Sequence, residues 1–166
     1  MTTRRAFLRF GMGGAIALAA GGAFYRGLQQ GAPRRFNLDA AGHEFLTAIV
    51  PVLLGPALPA SADVAPVVGR VRAAIAGLPL AAQAELQDLF GLLALAPARR
   101  LLTGLPAWRD ASPARLHAFL QDWRLHRFLQ LRAAYQALHD LVIGSWYADP
   151  ASWAAIGYPG PTKALA

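Results

Sequence analysis

The sequence predicts an all-α fold, a four-helix-type bundle with an N-terminal leader helix and an extended C-terminal tail rich in aromatic residues, Gly and Pro. Three observations predict it. Apolar residues recur every three to four positions through each apolar stretch. No stretch alternates apolar and polar residues as a half-buried strand would, and no internal repeat occurs. The interruptions fall at clusters of Gly and Pro, where helices end. A chain of 166 residues, 55% hydrophobic and 15% charged, has room for one ordinary domain and enough apolar side chains to fill its core. The expected organisation is a leader over residues 1–28, a linker over 29–36, the bundle over 37–148 and the tail over 149–166.

The leader begins Thr3-Arg4-Arg5-Ala6-Phe7-Leu8-Arg9. This run resembles the twin-arginine (Tat) export consensus: a polar residue, two arginines, a variable residue, two apolar residues and a basic one. Thr3, Arg4, Arg5, Phe7, Leu8 and Arg9 are thus the expected recognition residues for the Tat translocase. The apolar run that follows, Gly11 to Tyr25, holds about fifteen residues with five glycines. A bilayer span wants about 20 apolar residues, and each glycine costs a helix interior roughly 1 kcal/mol against alanine. Arg26, Arg34 and Arg35 beyond the run disfavour the general secretory route. The segment therefore reads as an export address. Ala17-Leu18-Ala19 offers a small-x-small cleavage site inside the run, so retention of an uncleaved leader as a membrane anchor stays open.

Beyond the linker QQGAPRR, Asn37 is the expected N-cap of a first helix reaching Leu54, with Phe45, Leu46, Ile49, Val50, Leu53 and Leu54 at helical spacing. Gly55, Pro56 and Pro59 end it. Ser61 is the expected cap of a second helix running to about Ala76, with Val64, Val67, Val68, Val71 and Ile75 on one side. After Gly77-Leu78-Pro79 a third helix runs from Leu80 to about Leu95, and Ala98 to Leu102 adds a short turn ending at Gly104. Ser112-Pro113 is a strong start signal, serine capping and proline occupying the first helical position. With no Pro or Gly before Gly144, one long helix is expected from there to Tyr147.

The net charge of +7 suggests a nucleic-acid partner until it is located. Six of the sixteen basic residues lie at or before Arg35; beyond it ten basic residues face nine acidic ones. The basicity belongs to the N-terminus, which sets nucleic acid aside as a partner. The absence of cysteine excludes disulfides, thiol chemistry, cysteine-ligated metals and covalently attached haem. Histidines occur as His43-Glu44, His117, His126 and His139-Asp140, without the spacing of a metal site. Asp122 and His126, four apart on the long helix, share a face and could pair. Arg124, Arg127 and Arg132 near Trp123 form a basic face, either solvated or set to meet an acidic partner. No nucleophile elbow, phosphate loop or dinucleotide fingerprint is present, so no catalytic, metal or cofactor-binding residue is expected in this chain.

The chain closes with Trp146 and Tyr147, then Ala-Asp-Pro-Ala-Ser, Trp153, and the run Ile156-Gly157-Tyr158-Pro159-Gly160-Pro161. Gly and Pro fix a defined non-helical path, and Trp153 and Tyr158 supply large apolar area at low entropic cost. Three readings of the tail stay open: its aromatics fill the bundle's own core, they meet a partner, or they line a small-ligand site.

The pattern Tyr147, Pro150, Trp153 and Ile156 to Pro161 resembles the C-terminus of the gluconate 2-dehydrogenase subunit 3 family. Phe45 to Pro51 is similar to that family's first helix, Val64 to Leu78 to its second, and Leu120 to Arg124 to the opening of its last. The resemblance spans roughly Asp39 to Pro161. The proline- and alanine-rich stretch Leu54 to Pro66 departs from it. The resemblance implies a small subunit beside a large FAD-dependent dehydrogenase of the glucose–methanol–choline type, which carries the flavin, often with a multihaem cytochrome c subunit. It further implies that the Tat leader exports the folded pair to the periplasm. The alternative from another class is a stand-alone, membrane-tethered periplasmic binding or structural protein.

Overall fold

In the computed structural model of the chain, residues 35–59, 61–153 and 157–160 are described. The leader residues, the linker up to residue 34, Ile156 and Pro161 lie outside them. The described residues form six α-helices and two short 3-10 turns, with no strand among them. The helices are α1 (Ala40–Leu54), α2 (Ala65–Ala76), α3 (Leu80–Ala94), α4 (Ala96–Thr103), α5 (Pro113–Leu125) and α6 (Leu129–Tyr147). The fold is all-α.

Helix α1 is the centre of the packing, with α2, α3, α5 and α6 all set against it. Together with the turn that follows, it is apolar and long enough to cross a membrane on length and composition alone. Phe45, Leu46, Ile49, Val50 and Leu54 are instead buried among the other helices, as in a core helix. Its cap is Asp39, whose carboxylate accepts from the Gly42 N–H at 2.7 Å. The expected cap, Asn37, lies outside the helix because its own N–H goes to the Gln87 side chain at 2.8 Å. Helix α2 starts three residues later than expected. Asp63, not Ser61, accepts from the Ala65 N–H at 2.9 Å and turns the chain into the helix, and Pro66 fits the first turn, where a missing N–H does no harm. Pro97 likewise sits in the first turn of α4, and Gly104 ends that helix in the left-handed conformation.

The one long helix expected from Ser112 to Tyr147 is two. Ser112 and Pro113 start α5 as read, with the serine hydroxyl accepting from the Arg115 N–H. The helix then stops at Leu125, where His126 and Phe128 take extended conformations (ψ 148° and 123°). No helix breaker marks this place. A continuous helix of that length would extend about 50 Å, well past a small domain, and would carry Tyr135, Leu138 and Val142 away from the core they enter. The bend lets α6 pack against both α5 and α2. Local bonds hold it: the Phe128 N–H donates to His126 Nδ1 at 3.1 Å, and Arg132 donates to the His126 carbonyl at 3.3 Å.

A row of aromatic rings runs through the core: Phe36, Phe90, Phe45, Trp108, Phe119 and Trp123, with consecutive centroids 4.7 to 6.0 Å apart. Most meet edge-on or tilted, as ring quadrupoles prefer. Trp123 is fully buried and its indole N–H donates to the Leu102 carbonyl at 2.9 Å, fastening α5 to the end of α4. Leu105 and Trp108 enter the core from the loop between α4 and α5. Arg99 holds that loop: it donates to the carbonyls of Leu93 and Ala94 at the end of α3 and to that of Pro106, with its guanidinium 5.8 Å from the Trp108 ring centre.

Gln83 ties three segments together from a buried position. Its carbonyl accepts from the Phe36 N–H at 3.0 Å, and its amide donates to the carbonyls of Ala76 and Leu78 at 3.1 and 2.8 Å. These are carbonyls that the end of α2 leaves without helical partners. Substituting Gln83→Leu keeps the approximate volume but orphans one buried donor and two acceptors. It should destabilise the domain by about 2–4 kcal/mol, whereas Gln87→Ala, losing one exposed bond, should cost under about 1 kcal/mol. Urea unfolding of both variants checks the ranking.

Candidate docking surface at the C-terminal tail

The end of α6 is fastened to α2 before the tail begins. Arg70 donates through Nε to the Ser145 carbonyl at 3.2 Å and through a terminal nitrogen to Asp149 at 3.0 Å. Asp149 also opens the 3-10 turn Pro150–Ser152, its carboxylate accepting from the Ala151 N–H and its carbonyl from the Ser152 hydroxyl. One carboxylate therefore both caps the turn and anchors it to α2. Asp-Pro signals a turn in the sequence; that Arg70, more than seventy positions upstream, would meet it has no local signal.

Past this anchor Tyr158 and Gly160 pack on Trp153. The Trp153 indole N–H donates to the Tyr147 carbonyl at 2.7 Å, and its own carbonyl accepts from the Tyr158 N–H at 3.0 Å. The rings of Trp153 and Tyr158 meet edge-on, 5.2 Å between centres. Gly160 takes a left-handed conformation (φ 89°), buried so closely that a Cβ there would lie 3.1 Å from the indole. Only glycine combines that backbone with that approach.

The tail residues singled out from the sequence thus separate. Trp146 is half-buried and packs against the core. Tyr147 supplies the carbonyl that fixes Trp153. Trp153, Tyr158 and Gly160 pack on one another. Gly157 and Pro159 are exposed, and Tyr158 presents 47% of its surface. Tyr158 is thus an exposed aromatic residue packed on Trp153, with Gly157 and Pro159 on either side of it in the chain.

The histidines do not converge. Among the described residues no group of three or more His, Asp or Glu side chains could hold a metal ion. His126 does not pair with Asp122, because the helix ends between them and the His126 ring caps the bend instead. Asp122 lines a shallow open groove with Leu101, Gly104, Arg115 and Phe119. His139 and Gln136 both bond to Asp140 on the surface and hold its carboxyl below the usual range, the Gln136 hydrogen bond contributing most. Arg109 pairs with Glu44 on an exposed flank, and that bond raises its already high pKa.

Two substitutions test whether the tail packing is one unit. Gly160→Ala should push against the indole, and Trp153→Phe should release the Tyr147 carbonyl. Each should lower amide-exchange protection at Trp153 and Tyr158 by about tenfold, a loss of roughly 1.4 kcal/mol. Protection in α1 and α5 should stay at its wild-type level. Exchange followed by mass spectrometry or NMR separates the two regions.

Comparison with protein-family models, with curated proteins and with solved structures yields no match to this chain.

Proposed function

We propose that the chain is a non-catalytic small subunit that binds and stabilises a large FAD-dependent dehydrogenase and carries it through the Tat pathway to the periplasm. In this reading the helices form a bundle of four-helix type round α1, and the chain itself uses no cofactor. The flavin belongs to the partner, which resembles the glucose–methanol–choline class, and a multihaem cytochrome c completes the complex. Arg4 and Arg5 are the address, read by the translocase, and the leader stays as a tether if it escapes cleavage.

The observation that carries this reading is the exposed aromatic residue of the tail. Tyr158 stands about half-exposed and packed on Trp153, which Gly160 also meets, past the Arg70–Asp149 anchor. A preordered aromatic contact spends little conformational entropy on binding and is the kind of residue that dominates interface energetics. The same residues carry the resemblance of the tail to the small-subunit family. Leader motif and tail motif, at opposite ends of one chain, fit an escort that holds a cargo and directs it.

Purifying the tagged full-length chain from its native host tests the binding half. A flavoprotein with flavin absorbance should co-elute, and Tyr158→Ala should weaken its retention about 30-fold, equivalent to roughly 2 kcal/mol. A stable monomer eluting without flavin would instead favour the stand-alone, membrane-tethered protein. Replacing Arg4 and Arg5 with lysine tests the export half: dye-linked dehydrogenase activity should remain in the cytoplasm. Periplasmic activity at the wild-type level in that variant would rule out the escort role.

A further inference from the structure

The corner between α5 and α6 carries an unusual combination of side chains. Leu125 and Leu129 are 78% and 65% exposed, against the normal tendency of leucine to enter a core that is close by. Around them stand Arg124, Arg127 and Arg132, all exposed, and none in an ion pair among the described residues. From Trp123 to Ala134 the chain has no acidic residue.

The corner is also held stiff. The His126 ring caps the Phe128 N–H, Arg132 binds the His126 carbonyl, and the Arg127 guanidinium lies 4.8 Å from the Phe128 ring centre. Two leucines are therefore kept protruding from a tight bend, with cations beside them. Elsewhere in the domain Arg70, Arg99 and Arg115 donate to backbone carbonyls and Arg109 pairs with Glu44, while Arg72 and Arg100 are exposed and in no ion pair among the described residues.

We infer that this corner is a membrane-interfacial contact, Leu125 and Leu129 entering the headgroup boundary of a bilayer while Arg124, Arg127 and Arg132 meet anionic lipid phosphates. Charge complementarity selects the lipid. Three unpaired cations match an anionic leaflet, each worth about 1 kcal/mol near such a surface. Shape agrees, because a protruding pair of flexible aliphatic side chains suits shallow insertion. A protein hot spot more commonly centres on aromatic anchors in a fitted pocket. The inference is independent of the escort reading, since it requires neither a flavoprotein nor recognition of the leader.

Because the chain has no cysteine, a single introduced thiol reports one position even when the leader itself binds lipid. Full-length Leu125→Cys carrying an environment-sensitive fluorophore is mixed with phosphatidylcholine vesicles, with and without phosphatidylglycerol. Ala148→Cys serves as the control, being exposed at the C-terminal end of α6, the full length of that helix from the bend. The label at position 125 should shift to the blue and resist iodide quenching only with the anionic vesicles, while the label at 148 stays in water. Adding Arg124→Gln should move the corner's equilibrium between bilayer and water about fivefold toward water, and Arg124→Lys should restore it. Helix content by circular dichroism verifies that each variant is folded. Identical behaviour of the two labels on vesicles would overturn the inference. So would protection of position 125 by soluble polyglutamate but not by vesicles, which would assign the corner to an acidic protein.

Discussion

The architecture depends on burying a row of six rings that begins at Phe36, ahead of the first helix, and ends at Trp123, late in α5. The six rings come from five places in the chain: the segment before α1, α1 itself, α3, the α4–α5 loop and, twice, α5. Bringing them into one line fixes the relative placement of these pieces more firmly than helix propensity could. Trp123 sets the strictest condition. It is fully buried and its N–H has a backbone partner. Once α5 is committed to that position, its continuation in a straight line would leave the domain. The bend at His126 follows from this condition, and the packing of α6 on α2 follows from the bend.

Much of the helical order was legible from local chemistry. Ser112-Pro113, Gly104 and the Gly77-Leu78-Pro79 turn act where they stand, because caps and breakers work through neighbouring backbone groups. The buried faces of α1 and α2 followed the spacing of their apolar residues. The errors occurred where a distant group decided the matter. Asn37 looks like a cap, but its N–H is taken by Gln87 on α3, and Asp39 caps instead. The bend at His126 has no Pro or Gly to announce it, and its cause is the tertiary position of Trp123. Trp108 and Leu105 look like loop residues and are core, because Arg99 folds their loop inward. In the tail, Gly and Pro signalled a non-helical segment, yet the meeting of Tyr158 and Gly160 with the Trp153 ring has no local signal.

The polar groups inside the domain have a common task. Gln83, Arg99, Arg70 and the Trp123 indole each reach carbonyls at helix ends or in loops, where the backbone lacks partners of its own. Donors of this kind serve the free carbonyls at helix ends and in loops, not the helix starts, and α2, α3, α4 and α6 have no side-chain cap at their start. The exceptions are informative. The Trp108 N–H and the Ser145 hydroxyl are buried without partners. Trp108 lies in the middle of the aromatic row, its ring tilted against those of Phe45 and Phe119. For Ser145 the structure offers no compensating contact.

The attachment of Phe36 and Asn37 to α3 has a mechanical side. Two backbone N–H groups in succession are held by Gln83 and Gln87, one helical turn apart on the same helix. Tension applied to the chain at residue 35 therefore loads α3 first, through two amide side chains, before it reaches Asp39 and the start of α1. The weakest link in that path is the exposed Gln87 bond and the strongest is the buried Gln83 hub. Because Phe36 lies nearer the pulled end than Asn37, the buried Gln83 bond takes the load first and shields the Gln87 bond and the cap of the central helix behind it. The domain thus carries a clamp at the point where its N-terminal segment enters.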